Sequence, residues 1–226
     1  SLTAAQGAVG LMSASGGGDT PEAAIAAMEH VLSGNANPGA SIAAHTPAPG
    51  TTGGVDFRMG AIPVIVHVHD NDWHDPSGVA TTASLNAAFA AANAKFVNVQ
   101  EGGFSSENQA NMLSDATNSN VPPAAFGTVP NCSPGQCCTG LNGAGRVATP
   151  AGCRLNFLSS GGSGVSTGIV KAIEAIAVGS TFDVTARPSN DPKNPNNVDA
   201  TKFIKALRAM DEGNAAAGCP AAAAKD

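Results

Sequence analysis

Apolar positions along this chain switch between a helical and a strand period, and the switches mark out its elements. After Asp19-Thr20-Pro21-Glu22, residues Ile25, Met28, Val31 and Leu32 recur at helical spacing. They predict a helix ending near His30–Ser33, capped by Asp19 or Thr20, with Pro21 in its first turn. Residues 34–56 read as a long Pro/Gly/Thr loop. Residues 62–69 are almost continuously apolar, the pattern of a parallel strand buried on both faces. A helix over 84–94 follows, with Leu85, Ala88, Phe89 and Ala92 on one side, then a strand over 95–100 (KFVNVQ). A further helix is expected over 106–117 and a short strand over 124–129. Val165, Ile169, Ile173 and Ile176 mark an amphipathic helix. Beyond it lie an expected strand over 181–186, a polar linker over 188–197, a helix over 200–210 and a low-complexity tail; residues 1–15 carry little pattern. Strand and helix alternate, so the expectation is an α/β fold: a doubly wound, mostly parallel sheet with helices on both faces. Its main domain covers 1–180, with an insertion over 130–162, and 181–226 forms a C-terminal extension.

Composition narrows the function classes. The chain has 226 residues, enough for a sizeable core, a net charge of −6 and no cluster of Lys or Arg. That balance argues against nucleic acid as a partner. No apolar run approaches the ~20 residues of a membrane span, and the first residues lack the charged and apolar regions of a signal peptide. Tyr is absent and Trp73 is the one tryptophan, so a large aromatic recognition surface is not expected. Of five cysteines, Cys132, Cys137, Cys138 and Cys153 lie in the 130–162 segment, and Cys219 lies in the tail. Adjacent Cys137 and Cys138 do not form the spaced knuckle of a zinc site, which favours disulfides and an oxidising compartment, with the pairing left open. An odd cysteine is left over for a partner outside the chain.

The candidate chemistry sits at two segments. Gly16, Gly17 and Gly18 lead into Asp19 and Glu22 at a helix start, and the apolar run of the first strand ends on Asp70. In an open α/β sheet, helix starts and the carboxyl ends of strands meet at the ligand edge. An oxygen-rich site for a hard divalent cation is therefore expected. The run His67-x-His69-Asp70-x-Asp72-x-His74 carries a rival reading, a zinc-dependent hydrolase built on His67, His69 and His74. Its spacing departs from hydrolase patterns, because Asn71 and Asp72 stand where Asp and His are needed. Ser159 to Gly164 has no strand–nucleophile–helix setting and no Gly-Lys-Ser/Thr, so neither a nucleophile elbow nor a phosphate loop is indicated.

At these residues the chain resembles a von Willebrand factor type A domain, closest to the integrin β-subunit I-like branch and its bacterial relatives. Asp19-Thr20-Pro21-Glu22 matches that branch's Asp-Ser/Thr-Pro-Glu step, and Val64 to His74 follows its strand ending in Asp, then a turn and a His. The likeness spans about residues 15–180. It implies a metal-ion-dependent adhesion site for Mg²⁺ and/or Ca²⁺, with Glu22 as a direct ligand and Asp70 in the metal shell. Asp19 and the Pro21 carbonyl would serve a neighbouring Ca²⁺, with Thr20, Asp72 and His74 in support. The implied partner is a protein whose carboxylate completes the cation's coordination, and no catalysis is expected. The family's Asp-x-Ser-x-Ser motif is absent, so the fold is expected to lack its first strand, supplied by an N-terminal segment or another subunit. The implied setting is secreted, periplasmic or cell-surface. A structural subunit of a surface assembly with a degenerate metal site is the other alternative.

Overall fold

The computed structural model describes residues 7, 11, 21–101, 106–128, 130–160, 165–179, 190 and 199–203. Two units are distinguished, Ser1–Ser180 and Thr181–Asp226. The described elements of the first are α1 (Ala24–Ser33), β1 (Thr51–Thr52), β2 (Phe57–Arg58), β3 (Val64–His69), α2 (Thr82–Ala92) and β4 (Lys95–Glu101). They continue with α3 (Ser106–Ala116), β5 (Asn120–Val121), β6 (Cys153–Arg154), β7 (Asn156–Ser159) and α4 (Val165–Gly179). In the second unit Ala200–Phe203 forms a 3-10 turn, where the Thr201 N–H (3.1 Å) and Asn190 Nδ2 (2.9 Å) donate to Asp199.

A parallel sheet of order β3-β4-β7 organises the first unit, which is a mixed α/β fold. Side chains alternate faces along each strand, so this register produces two cores. One holds Ile65, Phe96 and Trp73 against Ala24, Met28 and Leu32 of α1, Leu85 and Phe89 of α2, and Ala110 and Leu113 of α3. The other holds Val97, Val99 and Phe157 against Ala172, Ala175 and Ile176 of α4, closed by Val121, Phe126 and the cysteine loop. Central β4 is buried on both faces, with apolar Phe96, Val97 and Val99 and buried polar Asn98 and Gln100.

Helix ends follow local chemistry. Thr81 and Ser84 form a capping box on α2: the Ser84 N–H donates to Thr81 Oγ1 (3.1 Å) and the Thr81 N–H to Ser84 Oγ (2.8 Å). At the end of α1, Gly34 adopts φ 76°, and a Cβ there would lie 2.8 Å from the His45 carbonyl oxygen. The start of α1 departs from expectation. Its N-cap is Ala23, with no side-chain cap, and Pro21 and Glu22 precede the helix. Glu22 is instead drawn into an isolated parallel bridge with Trp73. Asp19 and Thr20 lie outside the described residues.

Three further expectations are corrected. The segment 124–129 is not a strand: Pro123–Phe126 is a 3-10 turn, as the paired prolines before it favour. The sheet's third strand is β7, inside the stretch read as an insertion, so that stretch contributes to the core. The 34–56 loop contains the first strand of the β1–β2 hairpin and a 3-10 turn at Pro38–Ala40. On α4, Ile169 and Ile176 of the expected stripe pack against the α4-side core beside Ala172 and Ala175, whereas Ile173 is 53% exposed. Small residues beside them let the helix lie close to the sheet. The expected strand over 181–186, most of the linker over 188–197 and residues 204–210 of the last helix lie outside the described residues, as does Cys219.

The cysteine pairing is Cys132–Cys138 and Cys137–Cys153. The loop they staple covers the outer edge of β7, where the Leu158 N–H donates to the Thr139 carbonyl (2.9 Å). Among the described residues no strand pairs with the outer edge of β3.

Candidate functional site

Glu22 and Asp70 are brought to one place by backbone pairing. The Glu22 N–H donates to the Asp72 carbonyl (2.7 Å), and the His74 N–H donates to the Glu22 carbonyl (2.7 Å). The Ile25 N–H then reaches the His74 carbonyl (3.3 Å), so the start of α1 lies along the loop leaving β3. An open cleft of about 430 Å³ results, lined by Glu22, Ala23, Ala24, Ala27, His67, Val68, His69 and Asp70. Both carboxylate residues are exposed there. Pro21 immediately precedes Glu22, while Asp72 and His74 contribute their backbone to the Glu22 pairing.

The loop after β3 is held from two sides. Gln109 of α3 clamps Trp73, accepting from its N–H (3.1 Å) and donating Nε2–H to its carbonyl (2.8 Å). The buried indole stacks on Phe96 at 5.9 Å. Farther along, the Asp75 carboxylate accepts from Ser77 N–H (2.9 Å), Ser77 Oγ (2.7 Å), Ala80 N–H (2.5 Å) and Asn37 Nδ2 (3.0 Å). Burial works to raise its pKa, but these donors outweigh it and hold it at about 2 instead of 3.8. A carboxylate depressed in the fold contributes stability above pH 3.8 that is lost as pH falls toward about 2. Asp75→Asn is therefore expected to flatten the acid limb of a stability-versus-pH curve in that window, read by urea unfolding at pH 2 to 5. An unchanged limb would remove Asp75 from the account, leaving exposed Asp56, also held at about 2 by donors led by the Ala48 N–H.

His67 and His69 stack with centroids 4.3 Å apart. Asn98 Oδ1 lies 3.1 Å from His67 Nδ1 and 3.0 Å from His69 Nε2, and the Asn71 carbonyl lies 2.6 Å from His69 Nδ1. Burial, reinforced by nearby His69, pulls the His67 pKa down to about 4 despite the Asn98 hydrogen bond, so this ring is neutral at pH 7. The Asn98 amide donates to Gln100 Oε1 (2.9 Å) and Asn156 Oδ1 (2.9 Å), and Asn156 Nδ2 donates to Asn111 Oδ1 (3.2 Å). A polar ladder thus crosses the sheet in the row His67–Asn98–Asn156 and ends on α3. The rings are occupied with this ladder. Among the described residues no three His, Cys, Asp or Glu side chains gather as a ready-made metal cage, His67, His69 and His74 included.

Asn98 and Gln109 were not singled out from the sequence. Asn98 had a visible signal, a polar residue inside a strand with apolar neighbours. Gln109 had none, being one polar residue among many on α3.

A second hollow, about 360 Å³, opens on the α4 side of the sheet between the stapled loop and α4. Val99 and Phe157 line it, with Cys138, Gly168 and Lys171 around them. Among the described residues no helix is long and apolar enough to cross a membrane. What the geometry defines is a mixed α/β protein with a parallel three-stranded sheet and an acidic cleft at its carboxyl edge. No family model matches the chain, and neither a curated protein nor a solved structure matches it.

Proposed function

We propose that this chain is a divalent-cation-dependent protein-binding module of the von Willebrand A type, acting outside the cytoplasm. The observation that carries the reading is the shared cleft of Glu22 and Asp70, two exposed carboxylates fixed together by the backbone pairing of Glu22 with the loop after β3. Two carboxylates with open space before them suit Mg²⁺ or Ca²⁺, which take oxygen ligands and retain positions for water or a partner's carboxylate. Glu22 and Asp70 would hold the ion, Asp19 and the Pro21 carbonyl a second Ca²⁺, and the carboxylate of a protein ligand would complete the first site. Two disulfides support an oxidising, extracytoplasmic setting.

The parallel topology is compatible with the von Willebrand A reading. The connections β3–α2–β4 and β4–α3–β7 put their helices against one face and advance the sheet in one direction. Helix α1 packs on that same face and leads toward β3. By the right-handed crossover rule, a parallel strand preceding α1 would lie on the outer edge of β3. An outer edge of β3 left without a strand among the described residues also suits a second reading, a structural subunit whose edge is closed by assembly.

Calorimetric titration with Mg²⁺ and Ca²⁺ tests the site. Saturable binding is expected, weakened at least about tenfold by Glu22→Ala and by Asp70→Asn, since affinity follows the count of charged ligands. Absence of binding, or binding indifferent to both substitutions, would leave the structural reading.

A further inference from the structure

The hollow on the α4 side of the sheet has two walls of different origin. One is the stapled loop, where Cys138 is bonded to Cys132 and its neighbour Cys137 to Cys153 at the start of β6. That wall is held by covalent links, so a ligand meets it already shaped and orders little on binding. The other wall is the beginning of α4, where Gly168 leaves room: a Cβ there would stand 3.4 Å from the Phe157 Cβ. Val99 and Phe157, core residues of β4 and β7, close the inner end. A hollow of about 360 Å³ lies within the size range of small-ligand sites.

The charge at its mouth has one sign. Among the described residues no Asp or Glu lines the hollow, whereas Lys171 does, in a chain of net charge −6. Lys171 Nζ donates to Glu174 (2.7 Å), an exposed partner farther along α4 that is not part of the lining. Exposed pairs of this kind hold weakly, so the ammonium exchanges readily toward an anion at the mouth. The Thr167 hydroxyl adds a polar group to the same rim.

We infer that the hollow between the stapled loop and α4 binds a small amphipathic monocarboxylate, with its hydrocarbon tail toward Val99 and Phe157 and its carboxylate at Lys171. The apolar inner end accepts any hydrocarbon. The lysine at the mouth, with no carboxylate in the lining to oppose it, selects a negative head group over a neutral or cationic one. This site lies on the α4 side of the sheet and uses no metal ion, so it goes beyond the cation reading and is tested separately from it.

The test is calorimetric titration at pH 7 in EDTA with octanoate, hexanoate, 1-octanol and octylammonium. Octanoate is expected to bind saturably, and hexanoate roughly four- to fifteenfold more weakly, the range from half to full burial of two methylenes. Octylammonium is expected to bind more weakly than either octanoate or octanol. Lys171→Gln should weaken octanoate about two- to fivefold, the range of an exposed ion pair, and leave octanol unchanged. Gly168→Leu, which fills the hollow, and Thr167→Trp, which obstructs its rim from an exposed position, should each remove binding of octanoate and octanol alike. Amide NMR spectra of the unsubstituted protein locate the site without relying on any variant: Val99, Gly143 and Gly168 should shift with octanoate. No saturable octanoate binding, or shifts confined to other residues, would overturn the site, as would binding that survives both Gly168→Leu and Thr167→Trp. Octylammonium binding as tightly as octanoate would overturn the choice of a carboxylate. So would a Lys171→Gln variant that binds octanoate unchanged or weakens octanol equally.

Discussion

Asn98→Ala is expected to destabilise the first unit by about 3–5 kcal/mol, the range of a broken buried network. The residue is fully buried in β4, and its carboxamide meets four partners: His67, His69, Gln100 and Asn156. Truncation leaves their polar atoms facing an apolar void, where an orphaned buried group costs about 1–3 kcal/mol. Urea unfolding followed by Trp73 fluorescence would measure it, because the indole packs beside His67 with ring centroids 4.9 Å apart. A loss under about 1 kcal/mol would mean that water replaces the ladder. The pairing with Asn156 gives an internal check: adding Asn156→Ala to Asn98→Ala is expected to cost less than the sum of the two single effects.

The second large effect is expected at Cys137–Cys153. Converting both residues to alanine should cost about 3 kcal/mol from freed loop entropy alone, given their separation of 16 residues. Cys153 is fully buried in the α4-side core, so lost packing adds to that figure. The Cys132–Cys138 link closes only six residues and has a half-exposed end, so its removal should cost roughly 2 kcal/mol. Thermal melts of the two double variants should therefore rank Cys137/Cys153 as the more damaging. The reverse order would show that the loop, more than the core, depends on its staples.

Elements whose burial is continuous were readable from the chain. KFVNVQ is buried on both faces, and the strand stands within a residue of where the sequence places it. Glu22 and Asp70 were legible as neighbours because helix starts and strand ends share one edge of a parallel sheet. Strand β7 was not legible, because four residues between a cysteine loop and a glycine run carry no period of their own. Its pairing with β4 is a tertiary fact. The α4 stripe was legible at Ile169 and Ile176, but not at Ala172 and Ala175, which contact with the sheet selects for close approach. The Asn98 ladder shows the same gap: sequence reveals that a polar residue lies in a strand, but not which groups will meet it.

Adjacent Cys137 and Cys138 also govern how this protein acquires its covalent structure. Neighbouring Cα atoms lie 3.8 Å apart, below the usual span of a disulfide, so the two do not readily bond to each other. Of three possible pairings of the four loop cysteines, two remain, and they differ by the exchange of adjacent residues. The observed pairing holds the backbone where Thr139 closes the outer edge of β7. Oxidation and closure of the sheet therefore select for one another: a chain oxidised before β7 docks has little to distinguish the two pairings, whereas a docked β7 acts as the template for the right one.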